Sequence, residues 1–259
     1  MRTKKILNTF ATITLSVIST YFLLGIPAST QGTSPQTNAV LQYQVGGTLY
    51  MQKAAEYRSL AYQAFNIARL RFDATLEKKN VKKLPKAERK MPRAIVVDID
   101  ETILDNSPAQ AYSIANNAPF NLKDWYAWGD IFYVSNRDGV QKPATIDNLK
   151  KVGLTDIADD NVILRASESG KEARRTAIAK TFRIVMLMGD NLDDFSNVFE
   201  KKSIADRFAE TDKARDQFGD RFIVLPNAMY GTWENAIYDY GRLTEAQKAE
   251  KRAAALELP

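Results

Sequence analysis

Two kinds of apolar spacing divide the chain. From Met51 to about Lys79, Tyr57, Leu60, Ala61, Ala64, Ile67 and Ala68 recur at steps of three and four, with Arg58, Arg69 and Arg71 off that stripe. That spacing predicts an amphipathic helix. A charged hinge from Lys78 to Lys90 ends just before Pro92. Beyond it come five short apolar runs: Ala94–Val97, Ile131–Val134, Val162–Leu164, Ile184–Met188 and Phe222–Leu225. Each is too short for a helix, and helical or polar stretches separate them. Runs that are apolar throughout suit strands covered on both faces. Their alternation with helices predicts an α/β fold, an open, mainly parallel Rossmann-like sheet with right-handed crossovers.

The N-terminus follows a different rule. Residues 2–5 are basic at three of four positions, Ile6 to Ile26 carries no charge and is mostly apolar, and Pro27-Ala28-Ser29-Thr30 is small. Positive start, apolar middle and small-residue exit are the order of an export signal, although the apolar part approaches a membrane-spanning length. Residues 1–28 are therefore expected to be a signal peptide or a membrane anchor, and the protein periplasmic or secreted. Gln31 to Asn38 is polar with Gly and Pro and reads as a linker.

Composition changes this picture in two places. With 45% hydrophobic and 26% charged residues the 259-residue chain is ordinary for a globular protein. Its net charge of +5 owes three charges to Arg2, Lys4 and Lys5, so it gives no ground for a nucleic-acid partner. Cysteine and histidine are both absent. That excludes disulfides, thiolate nucleophiles, zinc–thiolate sites and imidazole bases, and it leaves acid–base work to Asp, Glu, Lys or Tyr. Any metal must be hard and oxygen-ligated.

In open α/β sheets ligands sit at the carboxyl ends of the strands. After the first run comes Asp98-Ile99-Asp100-Glu101-Thr102, and after the second Ser135-Asn136-Arg137. The third leads to Ser167-Glu168-Ser169-Gly170-Lys171, the fourth to Gly189-Asp190-Asn191-Leu192-Asp193-Asp194, and the fifth to Pro226-Asn227 with Tyr230 and Trp233 close behind. Two aspartates two positions apart, where a strand gives way to a loop, can be aimed at different atoms of one substrate. Such a carboxylate cluster beside a phosphate needs a divalent cation, and Mg²⁺ suits an all-oxygen site that shares the phosphate. Lys171 and the amides after Ser135 would offset charge on phosphoryl oxygens. Taken singly, each fragment has a plain structural explanation as a loop, a cap or a turn. Their order, each fragment after its own strand, is what points to chemistry.

That ordered set resembles the haloacid-dehalogenase-like phosphohydrolases with four aspartates, and within them the class C acid phosphatases of the lipoprotein e, 5′-nucleotidase type. The resemblance rests on Val97 to Pro108 and Met188 to Phe195, with support from 62–66, 132–137, 145–149 and 225–234. It implies that Asp98 attacks phosphorus and that Asp100 protonates the leaving alkoxide. Magnesium would be held by Asp98, the Asp100 carbonyl and Asp190, with Asp194 beside the metal or holding Lys171. Ser135, Asn136 and Lys171 would bind the phosphate, and Thr102 would fix the loop. Trp125, Tyr230 and Trp233 lie where the family places aromatics that stack on a nucleobase, with packing as the alternative. The implied partner is a small phosphomonoester, with a homodimer as a further family expectation.

Three departures qualify the resemblance. No cysteine follows the apolar segment to accept a lipid, and Ala109 stands where an aromatic is usual. Between Trp128 and Ile131 only Gly129 and Asp130 remain, where the family would carry roughly two dozen more residues of crossover. This predicts a partly uncovered sheet face or a displaced Trp125, and it keeps open a weakly active or inactive nucleotide- or phosphate-binding protein on the same fold. The expected layout is a linker and helical segment over 29–90, a phosphatase core over 91–240 with a cap at about 103–130, and a C-terminal helix over 241–259.

Overall fold

The computed structural model describes residues 39–116 and 134–258, apart from Val152, Thr155, Asp156 and Ala158. The export segment, the shortened crossover and Trp125 lie outside the described residues. The described residues open in a helix, ahead of the expected start, and run as α1 (Ala39–Lys53), α2 (Ala55–Leu76) and α3 (Lys78–Lys83). Extended backbone at Ala54 separates the first two. The face α2 buries is Ala61, Ala64, Phe65, Ala68 and Phe72. Leu60, assigned above to the buried stripe, is 41% exposed. The buried line passes one residue to its side, where two phenylalanines supply most of the apolar area.

Five parallel strands follow. β1 (Arg93–Val97), β3 (Ile163–Arg165), β4 (Arg183–Gly189) and β5 (Phe222–Val224) lie within a residue of their apolar runs. β2 (Val134–Asp138) does not: it contains Ser135-Asn136-Arg137, which the sequence reading placed after the strand. Its burial alternates, with Ser135 and Arg137 inward and Asn136 and Asp138 exposed, as a strand requires. Pairing also departs from a single sheet. Among the described residues β1, β4 and β5 form one sheet in that order, and β2 pairs with β3. The two sheets still share a core in which Val96 and Leu187 of one meet Val134 of the other.

The remaining helices are α4 (Ser107–Ala115), α5 (Lys142–Lys151), α6 (Glu172–Ala179), α7 (Ile204–Lys213), α8 (Thr232–Ile237) and α9 (Glu245–Ala254). Pro108 sits in the first turn of α4, where its missing N–H costs nothing. Reciprocal Thr244 and Gln247 caps start α9 inside the expected C-terminal segment. The main core joins α2, through Ala64, Phe65, Ala68 and Phe72, to Val185, Met186 and Met188 of β4 and to Ile99 and Ile103 beyond β1. α1 lies against the loop after β5. A Cβ on Gly47 would fall 2.2 Å from the carbonyl oxygen of Ala228, so only glycine allows that approach. No helix among the described residues is long and apolar enough to cross a membrane.

α2 is thus packed into the main core of the sheet. Phe72→Ala should lower the unfolding free energy by about 3–5 kcal/mol in urea titrations, whereas Leu70→Ala, at a residue 67% exposed, should change it by under about 0.5 kcal/mol. Equal losses from the two would show that α2 is not seated as described.

Candidate active site

β1 delivers Asp98 while it is still in the ladder, since its N–H donates to the Met188 carbonyl at 2.8 Å. The chain then coils tightly. The carbonyl of Ile99 accepts from the N–H groups of Thr102, Ile103 and Leu104, at 3.2, 2.9 and 3.0 Å. Glu101 takes the left-handed backbone (φ 59) to make that turn, a conformation that costs a non-glycine residue about 1 kcal/mol or more. The Thr102 hydroxyl is buried with no hydrogen-bond partner, so its backbone N–H, not its side chain, closes the loop. At the end of β4, Asp194 turns back so that its Oδ2 accepts from the N–H of Asn191 at 3.0 Å. A Cβ on Gly189 would meet that carboxylate at 2.3 Å, which explains a glycine directly before Asp190.

These turns gather Asp98, Asp190 and Asp194, with carboxylate oxygens all within 4.8 Å of one another. Lys171, at the N-cap of α6, is buried among them. Its Nζ donates to Asp98 Oδ1 and, at 2.5 Å, to Asp194 Oδ1. Burial alone would lower the Lys171 pKa, but Asp194 and Asp98 overcome this and hold the ammonium well above its ordinary range. Burial pushes the Asp98 carboxyl well up, with Lys171 opposing and Asp194 and Asp190 adding. Burial, then the charge of Asp194, pushes Asp190 up to about 7, although Asn227 donates to it at 2.7 Å.

Asp100 faces a different set of groups. Arg137 grips both its oxygens, Nη2 on Oδ1 and Nε on Oδ2 at 3.0 Å. Asn106 Nδ2 donates to Oδ1 at 2.9 Å and Ser135 Oγ to Oδ2 at 3.3 Å. Ser135 therefore sits beside the expected phosphate position, whereas the Asn136 side chain is turned away and meets Arg174. Arg174 reaches the carbonyls of Ser135 (2.6 Å), Ser169 and Gly170 (3.2 Å each) and Asn136 Oδ1 (2.5 Å), clamping the β2 segment to the loop before α6. Tyr230 lies alongside, its hydroxyl donating to buried Glu101. Trp233 stands in the first turn of α8, 39% exposed and packed over Gly231.

Comparison with known proteins decides the family. Residues 26–130 and 129–233 match the profile of the HAD superfamily, subfamily IIIB (Acid phosphatase). The chain belongs to this family. It is also similar to the solved class C acid phosphatase from Bacillus anthracis, with 35% identity over 85% of this chain and 98% of that one, at a TM-score of 0.76. A second structure of that enzyme, with tungstate bound, gives 36% identity over the same shares and a TM-score of 0.75. The acid phosphatase described here is thus a phosphoric monoester hydrolase on a Rossmann-like fold, and its profile match breaks in two where the crossover is short.

The phosphatase's donor set fits a divalent cation: two buried carboxylates and the half-buried Asp190, no sulfur or imidazole, and one lysine that neutralises only part of their charge. Three groups at the site carried no role in the sequence reading, although each stood in a quoted stretch. Arg137 was legible from strand alternation, since it is two residues from Ser135 and must share its face. Asn106 and Asn227 had no such signal, because loop side chains aim where the turn sends them.

Asp190 gives a pH test. Its carboxyl titrates near 7 in the folded protein and near the ordinary 3.8 when unfolded. Below both values the two states bind the proton alike, and between them the folded state is increasingly penalised as pH rises. The melting temperature of chelator-treated phosphatase should therefore be higher at about pH 5.5 than at about pH 8, and a divalent cation should raise it more at the higher pH. Asp190→Asn should flatten both dependences in differential scanning fluorimetry.

Proposed function

We propose that this acid phosphatase is an exported, magnesium-dependent enzyme that hydrolyses nucleoside 5′-monophosphates through an aspartyl-phosphate. The observation that carries the reading is the division of labour between its two neighbouring aspartates. Asp98 is held by Lys171 inside the carboxylate cluster, whereas Asp100 is held apart by Arg137, Asn106 and Ser135. In the first step an Asp98 oxygen bonds to phosphorus while the bond to the ester oxygen breaks, and Asp100 gives that oxygen its proton. In the second, Asp100 takes a proton from the water that attacks the aspartyl-phosphate, releasing inorganic phosphate and restoring Asp98. Lys171, Ser135 and the backbone N–H of Asn136 take the phosphoryl oxygens. Asp98, Asp190 and Asp194, with the Asp100 carbonyl, would hold Mg²⁺, which when bound supplies charge for the phosphate dianion.

Nucleotide preference rests on Tyr230, with Trp233 and Trp125, as stacking surfaces that accept any base. Tyr230 is the best supported, because its hydroxyl is tied to Glu101 and its ring is thereby fixed. Export rests on the basic, apolar and small-residue order of the first thirty residues. A second reading, binding with little turnover, is favoured by the short stretch between Trp128 and Ile131, where the profile match breaks in two. Phosphate release from a nucleoside 5′-monophosphate at acidic pH separates the two. Mg²⁺-dependent release that falls at least about a thousand-fold in Asp98→Asn supports the enzyme. Equal, background release by folded wild type and variant supports the binding protein.

A further inference from the structure

Glu101 is 1% exposed and has no part in the steps just described. It accepts two hydrogen bonds from opposite directions. The Tyr230 hydroxyl donates to Oε2, and the backbone N–H of Asn106 donates to Oε1 at 2.9 Å. Asn106 in turn donates from Nδ2 to Asp100 Oδ1 at 2.9 Å. A continuous chain thus runs from Tyr230 through Glu101 and Asn106 to the acid–base carboxylate. Its links have an unequal fate in the reaction. Arg137 and Ser135 reach Asp100 from β2, in the other sheet; a phosphate dianion would compete for Ser135, which the proposed steps assign to it, and would attract the charge of Arg137. Asn106 belongs to the same loop as Asp100 and carries no charge, so it keeps hold of Asp100 when the phosphate arrives. With Oδ1 occupied by Asn106, the transferable proton belongs on Oδ2, beside Ser135.

We propose that Glu101 and Asn106 are positioning residues that aim the Oδ2 face of Asp100 at the leaving-group oxygen. The inference rests on Asp100 being the proton donor, and the test separates the two ideas. Protonation matters for an alkoxide leaving group and hardly at all for p-nitrophenolate, which departs as a stabilised anion. The nitrophenyl ring can stack on Tyr230, but Asn106→Ala keeps its backbone N–H and leaves the Tyr230–Glu101 contact in place, so in that variant stacking does not differ from wild type. In kcat/KM, Asn106→Ala and Glu101→Ala should each lose about ten- to a hundredfold on glycerol 2-phosphate and less than about threefold on p-nitrophenyl phosphate. Glu101→Gln, which keeps an acceptor for the Asn106 N–H, should recover most of that loss. Asp100→Asn sets the scale of full selectivity. If Glu101→Ala does not fold, the half-buried Asn106 carries the test. A selective loss in Asp100→Asn with none in Asn106→Ala overturns the positioning role. Equal losses on both substrates in Asp100→Asn itself overturn the acid–base assignment, and this inference with it.

Discussion

One buried ammonium among three clustered carboxylates, two of them buried, is the constraint on which the rest of this structure depends. Asp98, Asp190 and Asp194 repel one another at their separation, and burial disfavours the ionised forms of Asp98 and Asp190. Lys171 compensates only if α6 begins at the mouth of the cluster. The same turn of α6 carries two more cations that fix it there. Arg175 reaches the carbonyls of Asp194 (2.8 Å) and Asp193 (3.2 Å), and Arg174 clamps the β2 segment. One helical turn therefore sets Asp98, the loop after β4 and the β2 strand relative to one another. Because Arg174 and Arg175 bond mainly to backbone carbonyls, they position main chain and leave the carboxylates to Lys171 and to a cation.

Hydrophobic packing and electrostatics divide the two sheets between them. β1, β4 and β5 are joined by ladder hydrogen bonds and by the α2 phenylalanines packed on them. β2 and β3 are joined to that sheet by shared apolar contacts and by side chains, chiefly Arg137 on Asp100 and Arg174 at the loop before α6. A boundary held by long charged side chains yields more readily than a ladder, because each arm has its own rotamer freedom. The site lies on that boundary.

Much of this was readable in the sequence, and for a physical reason. Buried parallel strands are written as unbroken apolar runs, so four of the five were located closely and their following residues could be read as the site. Asp98, Asp100, Lys171, Asp190 and Asp194 were found because their spacing from strand ends is fixed by the fold. β2 was displaced because its inward residues, Ser135 and Arg137, are polar and answer to Asp100 rather than to a core. On α2 the stripe held at Ala61, Ala64 and Ala68 and failed at Leu60, since alanine and leucine weigh alike in a spacing pattern while only three-dimensional packing shows that Phe65 and Phe72 complete the face. The chain Tyr230–Glu101–Asn106–Asp100 left no periodic trace, because it depends on a left-handed turn and a contact across 129 positions.

Arg252 of α9 lies over the ring of Tyr43 in α1, 4.1 Å from its centre, and donates to the hydroxyl of Tyr238 at 2.6 Å. The first and last described helices are therefore clasped to each other. α1 in turn touches, through Gly47, the backbone at Ala228, two residues before Tyr230. Mechanically the described helices close on each other like a buckle that rests on the loop before Tyr230. A tag, a proteolytic trim or a fusion at the end of α9 thus loads the same joint as a change in α1, and both are transmitted to that loop.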